Sequence, residues 1–202
     1  MKIRIETSPF LLVAQSDYFS VVEPNGGQRV HALPYQNGIY RIIVRGNETN
    51  NRLTIIEGLV YMDEGARNHY HLNEDETFFV LNGTLQFYVA GKQFCAKAGT
   101  TVFIPRNVTQ SVRNVNVKPV HVQILFSPSG REKFLELVSP INDNPPVNLT
   151  LLNSLALQYG QVNLPVVEWN DLDCVTDTGI TPKLSFISLV FSISMCFFNA
   201  FQ

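Results

Sequence analysis

His69-Tyr70-His71-Leu72-Asn73-Glu74-Asp75-Glu76, followed by Gly83, decides how the rest of this chain is read. Its spacing is His-x-His-x4-Glu-x6-Gly, set in a strand-rich, turn-punctuated sequence. Successive side chains of an extended strand point to opposite faces, so His69 and His71 project together while Tyr70 faces away. The next strand delivers Glu76, and two imidazoles and one carboxylate then converge as ligands for a divalent metal. A 2-His-1-carboxylate set with open positions suits non-haem iron and related oxygen-activating centres. An ionised Glu76 buried without a cation would carry a heavy desolvation cost. By contrast, Glu74 and Asp75 read as a solvated turn, and His31 and His121 as residues without a role in the site.

Working outward, Gly38 begins a run of short strands: 39–45, 53–62, 76–81, 84–90, 92–96, 101–104, 110–113 and 120–127. Asn-Gly, Ala-Gly and Pro-Arg-Asn interrupt them at short intervals. Many short strands with regular turns predict an antiparallel sandwich or barrel. Asn82-Gly83 reads as a hairpin turn, because both residues tolerate positive φ. Leu85, Phe87 and Val89 alternate with Gln86 and Tyr88, which predicts one core-facing and one outward face. Tyr61, Phe78, Val80, Phe87 and Phe103 are candidates for lining a pocket, or for plain barrel core. Helices come later. An apolar-periodic segment opens at 129–132 and is expected to stop at Pro140, and a second helix spans 151–159 and ends at Gly160. The divisions predicted are an N-terminal segment 1–37, a barrel 38–140, a helical extension 141–165 and a variable tail 166–202. Because 38–140 holds every predicted strand, a chain ending near Tyr159 is expected to stay folded with its metal.

Composition narrows the function. A chain of 202 residues with a 45% hydrophobic share fits one domain with appendages. A formal net charge of −2 gives no electrostatic reason to expect nucleic acid as a partner. Cys95, Cys174 and Cys196 are odd in number and scattered, which suits a reducing compartment better than a disulfide scaffold. The apolar run at 10–14 is too short for a secretory signal. The Asn-x-Thr sequons at Asn47, Asn82, Asn107 and Asn148 therefore read as products of an Asn- and Thr-rich sequence. Residues 184–201 approach the length of a membrane span but carry interleaved serines. They leave open a C-terminal anchor with weak membrane association, a segment packed on the barrel, or an accretion. The expected location is cytoplasmic.

These residues resemble the cupin superfamily, and in particular single-domain cupins of the bacterial quercetinase type, over roughly residues 38–140. In the motif G-x5-H-x-H-x3,4-E-x6-G, His69, His71, Glu76 and Gly83 match. Asp63 stands where the leading glycine belongs, and Gly65 lies two residues later. In G-x5-P-x-G-x2-H-x3-N, Gly99, Pro105 and Asn114 match, Asn107 replaces the second glycine and Gln110 replaces the histidine. The resemblance implies an all-β fold, an antiparallel double-stranded cupin β-barrel (jelly roll) with short C-terminal helices. It implies His69, His71 and Glu76 as metal ligands, with Gln110 at the place of a fourth. Gln110 is then a weak amide ligand or a hydrogen-bond partner of a metal-bound water, or else the site has decayed. The implied cofactor is a divalent transition metal: Fe, Mn, Ni, Co or Zn. The implied chemistry is a dioxygenase-type oxidation of a small enolic or phenolic molecule, with Glu76 also a proton acceptor. The rival expectation is a non-catalytic small-molecule-binding barrel. A second copy often closes an open barrel edge in this family, which implies a homodimer.

Overall fold

The computed structural model describes residues 19–32 and 37–174. Its strands are β1 (Gln28–Val30), β2 (Tyr40–Val44), β3 (Thr54–Val60), β4 (His69–His71), β5 (Asp75–Asn82) and β6 (Thr84–Val89), then β7 (Lys92–Lys97), β8 (Thr101–Ile104), β9 (Gln110–Arg113), β10 (Val120–Ser127) and β11 (Gln161–Asn163). Helices α1 (Arg131–Asn142) and α2 (Leu149–Gln158) lie between β10 and β11 in sequence. A six-stranded sheet, β1-β2-β3-β10-β5-β8, faces a five-stranded sheet, β11-β4-β9-β6-β7. This is the all-β, antiparallel cupin jelly roll with short C-terminal helices that the sequence predicts.

Alternation builds the core. Along β10, Val120, Val122, Ile124 and Phe126 are buried, and the residues between them are more exposed. Along β5, Glu76, Phe78 and Val80 share the inward face. The period of two therefore points a carboxylate into an otherwise apolar interior.

Asn82-Gly83 is not a hairpin turn. β5 pairs with β10 and β8, whereas β6 pairs with β7 and β9, so the turn carries the chain from one sheet to the other. Gly83 has φ of 84°, and a Cβ there would lie 2.9 Å from Val120 Cγ2. The glycine is needed for this corner as it would be for a hairpin. The two-residue hairpin lies one strand later, at Ala90-Gly91, where φ is 50° and 81° between the paired Val89 and Lys92.

Both ends of the predicted barrel move outward. β1 pairs with β2, and β11 pairs with β4 across His69 and His71, so residues 38–140 do not hold every strand. Pro140 does not stop α1, which runs on to Asn142. Pro140 has no N–H to give to the Glu136 carbonyl and its ring crowds that carbonyl, and the helix ends within a turn of it. α2 starts earlier than predicted because the Asn148 side chain caps it, accepting from the Leu151 N–H at 3.0 Å.

Residues 164–174 form a strap across the outer face of the smaller sheet. Gln86 Nε2 donates to the Asn170 carbonyl at 2.9 Å and Gln93 Nε2 to the Glu168 carbonyl at 2.7 Å. The Arg113 guanidinium lies 4.7 Å from the Trp169 ring centre. Gln86 is therefore buried on a face predicted to meet solvent. Cys95 and Cys174 are joined by a disulfide, with Cα atoms 5.3 Å apart. The expectation of free, scattered thiols is thus overturned, along with the support it gave to a reducing compartment. Among the described residues no helix is long and apolar enough to cross a membrane. The apolar segment 184–201 and Cys196 lie outside the described residues.

The expectation that a chain ending near Tyr159 stays folded with its metal leaves out β11, the strap and the disulfide, all of which need residues beyond it. Truncation after Tyr159 removes β11, the strap and a cross-link spanning 79 residues, the last worth about 4 kcal/mol in the chain-entropy picture. Urea melts should show truncation after Tyr159 to be several kcal/mol less stable than truncation after Cys174. Equal midpoints for the two would show that the strap adds nothing.

Candidate metal centre

β4 holds the two histidines between neighbours on both sides. His69 lies opposite Gln110 of β9 and Asn163 of β11, and His71 lies opposite Gln161. Both rings are buried, with 4% and 2% of their surface exposed. Glu76 arrives from the facing sheet, 4% exposed. His69 Nε2 lies 3.2 Å from His71 Nε2, which lies 3.1 Å from Glu76 Oε2. One ligand atom from each of the three residues falls within 4.8 Å of the others. The predicted trio is therefore brought together.

The electrostatics fit a cation. His69 Nδ1 lies 2.6 Å from the Arg67 carbonyl, a pure acceptor, so in the neutral ring Nδ1 carries the proton and Nε2 is bare. Burial, and then the neighbouring His71 charge, push the His69 pKa down to about 4. Burial alone would raise the Glu76 carboxyl, but the His71 hydrogen bond and the charges of His71, His69 and Arg131 together hold it below the usual range. A bare ring nitrogen and a carboxylate converging in a dry interior match the donor set of a divalent transition metal.

Gln110 also reaches this centre. It is buried, and its Nε2 donates to Glu76 Oε2 at 2.5 Å. In this orientation the amide nitrogen faces the carboxylate, and the amide oxygen would meet a metal only after a flip of the amide.

The two departures at glycine places of the pattern both lie at positive φ. Asp63 has φ of 63° and Asn107 has φ of 64°, the left-handed region that Asp and Asn tolerate. Asn114 is a strut: its Nδ2 donates to the carbonyls of Val60 and Lys118, and its Oδ1 accepts from the Asn116 N–H.

The triad opens on a cavity of about 170 Å³. Roughly 10–15 Å³ holds one water, so the space suits a small organic molecule. Tyr40, Phe78 and Phe126 line it from the larger sheet, and Phe134 and Leu135 of α1 and Leu152 of α2 close it from above. Of the candidates for lining a pocket, Phe78 lines this space, and Val80 and Phe87 are core. Phe103 is 60% exposed because Val102 and Ile104 take the inward places of β8, and Tyr61 also points outward. His31 pairs with Asp143, and His121 meets Glu57 at 3.0 Å on the outer face; both are outside the site, as expected.

Glu74 departs from its reading as a solvated turn. It is buried, 3.3 Å from His71 Nδ1 and 3.8 Å from Arg131 Nη1. Arg131 is a charged group on the cavity wall that sequence reasoning missed. Nothing local marks either residue, because α1 folds back over the site from a distant part of the chain. Asp75 opens β5 rather than lying in a turn, but its side chain is at the surface as that reading expects, paired with Arg106 at 3.0 Å.

The Cupin_2 family model, "Cupin domain", matches residues 58–126. An uncharacterised protein of Aquifex aeolicus (strain VF5) is 36% identical over 87 residues, which is 43% of this chain and 69% of the relative. The chain belongs to the cupin superfamily. Similar solved structures include an RmlC-like cupin from Shewanella frigidimarina NCIMB 400, with 19% identity and a TM-score of 0.47 over 59% of this chain and 96% of that one. KdgF from Halomonas sp. is 15% identical, with a TM-score of 0.44 over 50% of this chain and 88% of its own.

Two outcomes follow from the site. A histidine buried in its neutral form stabilises the fold above its unfolded pKa of 6.5, and that contribution is lost as pH falls towards about 4. In metal-free protein, wild type should therefore lose ~3 kcal/mol more than His69→Gln between pH 7 and pH 4 in urea melts. Parallel pH profiles for the two proteins would refute a neutral buried His69. Separately, Gln110→His should tighten metal binding, more so at higher pH where the new imidazole is neutral. Chelator competition giving unchanged affinity would remove position 110 from the metal's surroundings.

Proposed function

We propose that this chain is a metal-dependent cupin oxidoreductase of dioxygenase type, similar to quercetinase-like cupins, acting on a small enolic or phenolic molecule. The observation that carries this reading is the buried His69, His71 and Glu76 set opening on a largely apolar cavity. A bound divalent metal would supply Lewis acidity and open positions beside those three ligands. The chain's own part is positional. Tyr40, Phe78 and Phe126 present aromatic surface to a planar ligand, and α1 and α2 keep bulk water from the reacting atoms. Glu76 is the carboxylate placed to accept a proton from an acidic hydroxyl. Fe, Mn, Ni, Co and Zn all suit this donor set.

A second reading is a non-catalytic small-molecule-binding cupin with a degenerate site. It is favoured by one observation, the amide of Gln110 turned towards Glu76 at the place of the family's fourth ligand.

Metal analysis and oxygen uptake separate the two. Protein purified without added metal should carry close to one transition metal per chain, and the His69→Ala, His71→Ala double variant should carry almost none. Metal-reconstituted protein should consume oxygen with flavonols, catechols or acireductone-like enediols, and Glu76→Ala should abolish that uptake. Uptake no greater than free metal gives, across the panel and with several metals, would select the binding module. Near-zero metal in both proteins would sink the metal reading.

A further inference from the structure

His71 has two ring nitrogens, and the metal reading uses only Nε2. Its Nδ1 lies 3.3 Å from Glu74 Oε1, and that oxygen lies 3.8 Å from Arg131 Nη1. All three atoms are buried without a hydrogen-bond partner. Buried polar atoms left unpaired are rare, and three meeting at one place call for a common explanation. The 3.3 Å separation is just beyond the usual N–H···O range, within reach of a small rotation of the carboxylate.

We propose that Glu74 is a positioning residue for the metal centre, accepting the Nδ1 proton of His71 and braced from behind by Arg131. The proposal rests on the metal reading above, because orientation of His71 matters most when Nε2 is a ligand. Glu74 is outside the group of convergent ligand atoms and faces the opposite side of the ring. His69 has the same outer support in another form, the Arg67 carbonyl at Nδ1. With both Nδ1 atoms facing acceptors, both Nε2 atoms are the ones left to coordinate, His71 Nε2 once a bound metal displaces the proton it shares with Glu76. Partners of this kind fix the tautomer and ring plane of metal-ligating histidines.

The brace is as confined as the residue it supports. Arg131 Nη2 donates to Gln161 Oε1, and Gln161 is the β11 residue opposite His71. The guanidinium lies 4.3 Å from the Phe134 ring centre and 5.7 Å from that of Phe126. Phe126 in turn meets the His71 ring edge-on at 5.8 Å. The first residue of α1 therefore reaches His71 through Glu74, and α1 takes part in aiming a ligand on β4.

The test uses the full chain, with Glu74→Gln, which keeps an oxygen acceptor of the same shape, and Glu74→Leu, which removes it. Chelator competition with zinc should show roughly 10–100-fold weaker binding for the Leu variant, with most of the affinity restored in the Gln variant. Imidazole 15N–1H correlation spectra of metal-free protein should show His71 protonated at Nδ1 in wild type and Gln variant, with that proton lost from Nδ1 in the Leu variant. Wild-type affinity in a folded Leu variant would overturn the proposal, as would a lowered melting temperature in both variants with unchanged affinity. An unprotonated Nδ1 in wild type would overturn it too. That last measurement needs no variant and no metal. It decides the Glu74–His71 bond even if the Leu variant does not fold, or if wild type binds no zinc and the metal reading itself fails.

Discussion

The ionised carboxylate of Glu76, on the same inward strand face as Phe78 and Val80, constrains everything around it. An unpaired charge in such a place costs more than a domain can spare, and removing one partner of a buried pair costs several kcal/mol. Among the described residues, Glu76 meets the imidazole of His71 and the amide of Gln110 within hydrogen-bond range, both from the opposite sheet. The electrostatic demand of one residue therefore ties the two sheets together at this level. It also explains why β4, only three residues long, has a strand on each side. A strand that short has little pairing of its own, and its register must hold because a one-residue slip would turn both histidines outward.

Strand positions were legible because the period of two runs through β3, β5, β6 and β10, and the strands expected at 101–104, 110–113 and 120–127 match in full. The ligand trio was legible for the same reason: His-x-His on a strand fixes two directions at once. What could not be read depends on partners distant in sequence. A turn such as Asn82-Gly83 needs positive φ whether the chain pairs with itself or crosses to the other sheet. Gln86 alternates like an outward residue and is buried only because the strap lies over it. Glu74 sits in the polar run Asn73-Glu74-Asp75, and its burial is decided by α1, more than fifty residues later.

The motif residues divide by what they do. Gly83 and Gly99 have positive φ, and so do Asp63 and Asn107 at places where the family pattern has glycine. Those positions shape the backbone, and Asp and Asn meet the requirement at modest cost. Asn114 braces three backbone groups and touches no ligand. The change at Gln110 is of another kind. It replaces a group that could coordinate through nitrogen with one that donates to Glu76. Departures from the pattern are thus harmless to the fold at two positions and chemical at one.

The C-terminal segment belongs to the site by construction. α1 and α2 close the cavity, and β11 completes the pairing of β4. Past β11, the Leu164 N–H donates to the Asn68 carbonyl at 2.9 Å, and Asn68 Nδ2 donates to the Pro165 carbonyl at 3.0 Å. The strap is therefore fastened to the residue just before His69 at one end and to Cys95 by a disulfide at the other. A cross-link over so long a loop restricts the unfolded chain and keeps the strap near its place when local contacts break. The histidines need a fixed β4, β4 needs β11, and β11 is held between α2 and an anchored strap. The order of the ligand set thus depends on residues far outside the motif that announces it.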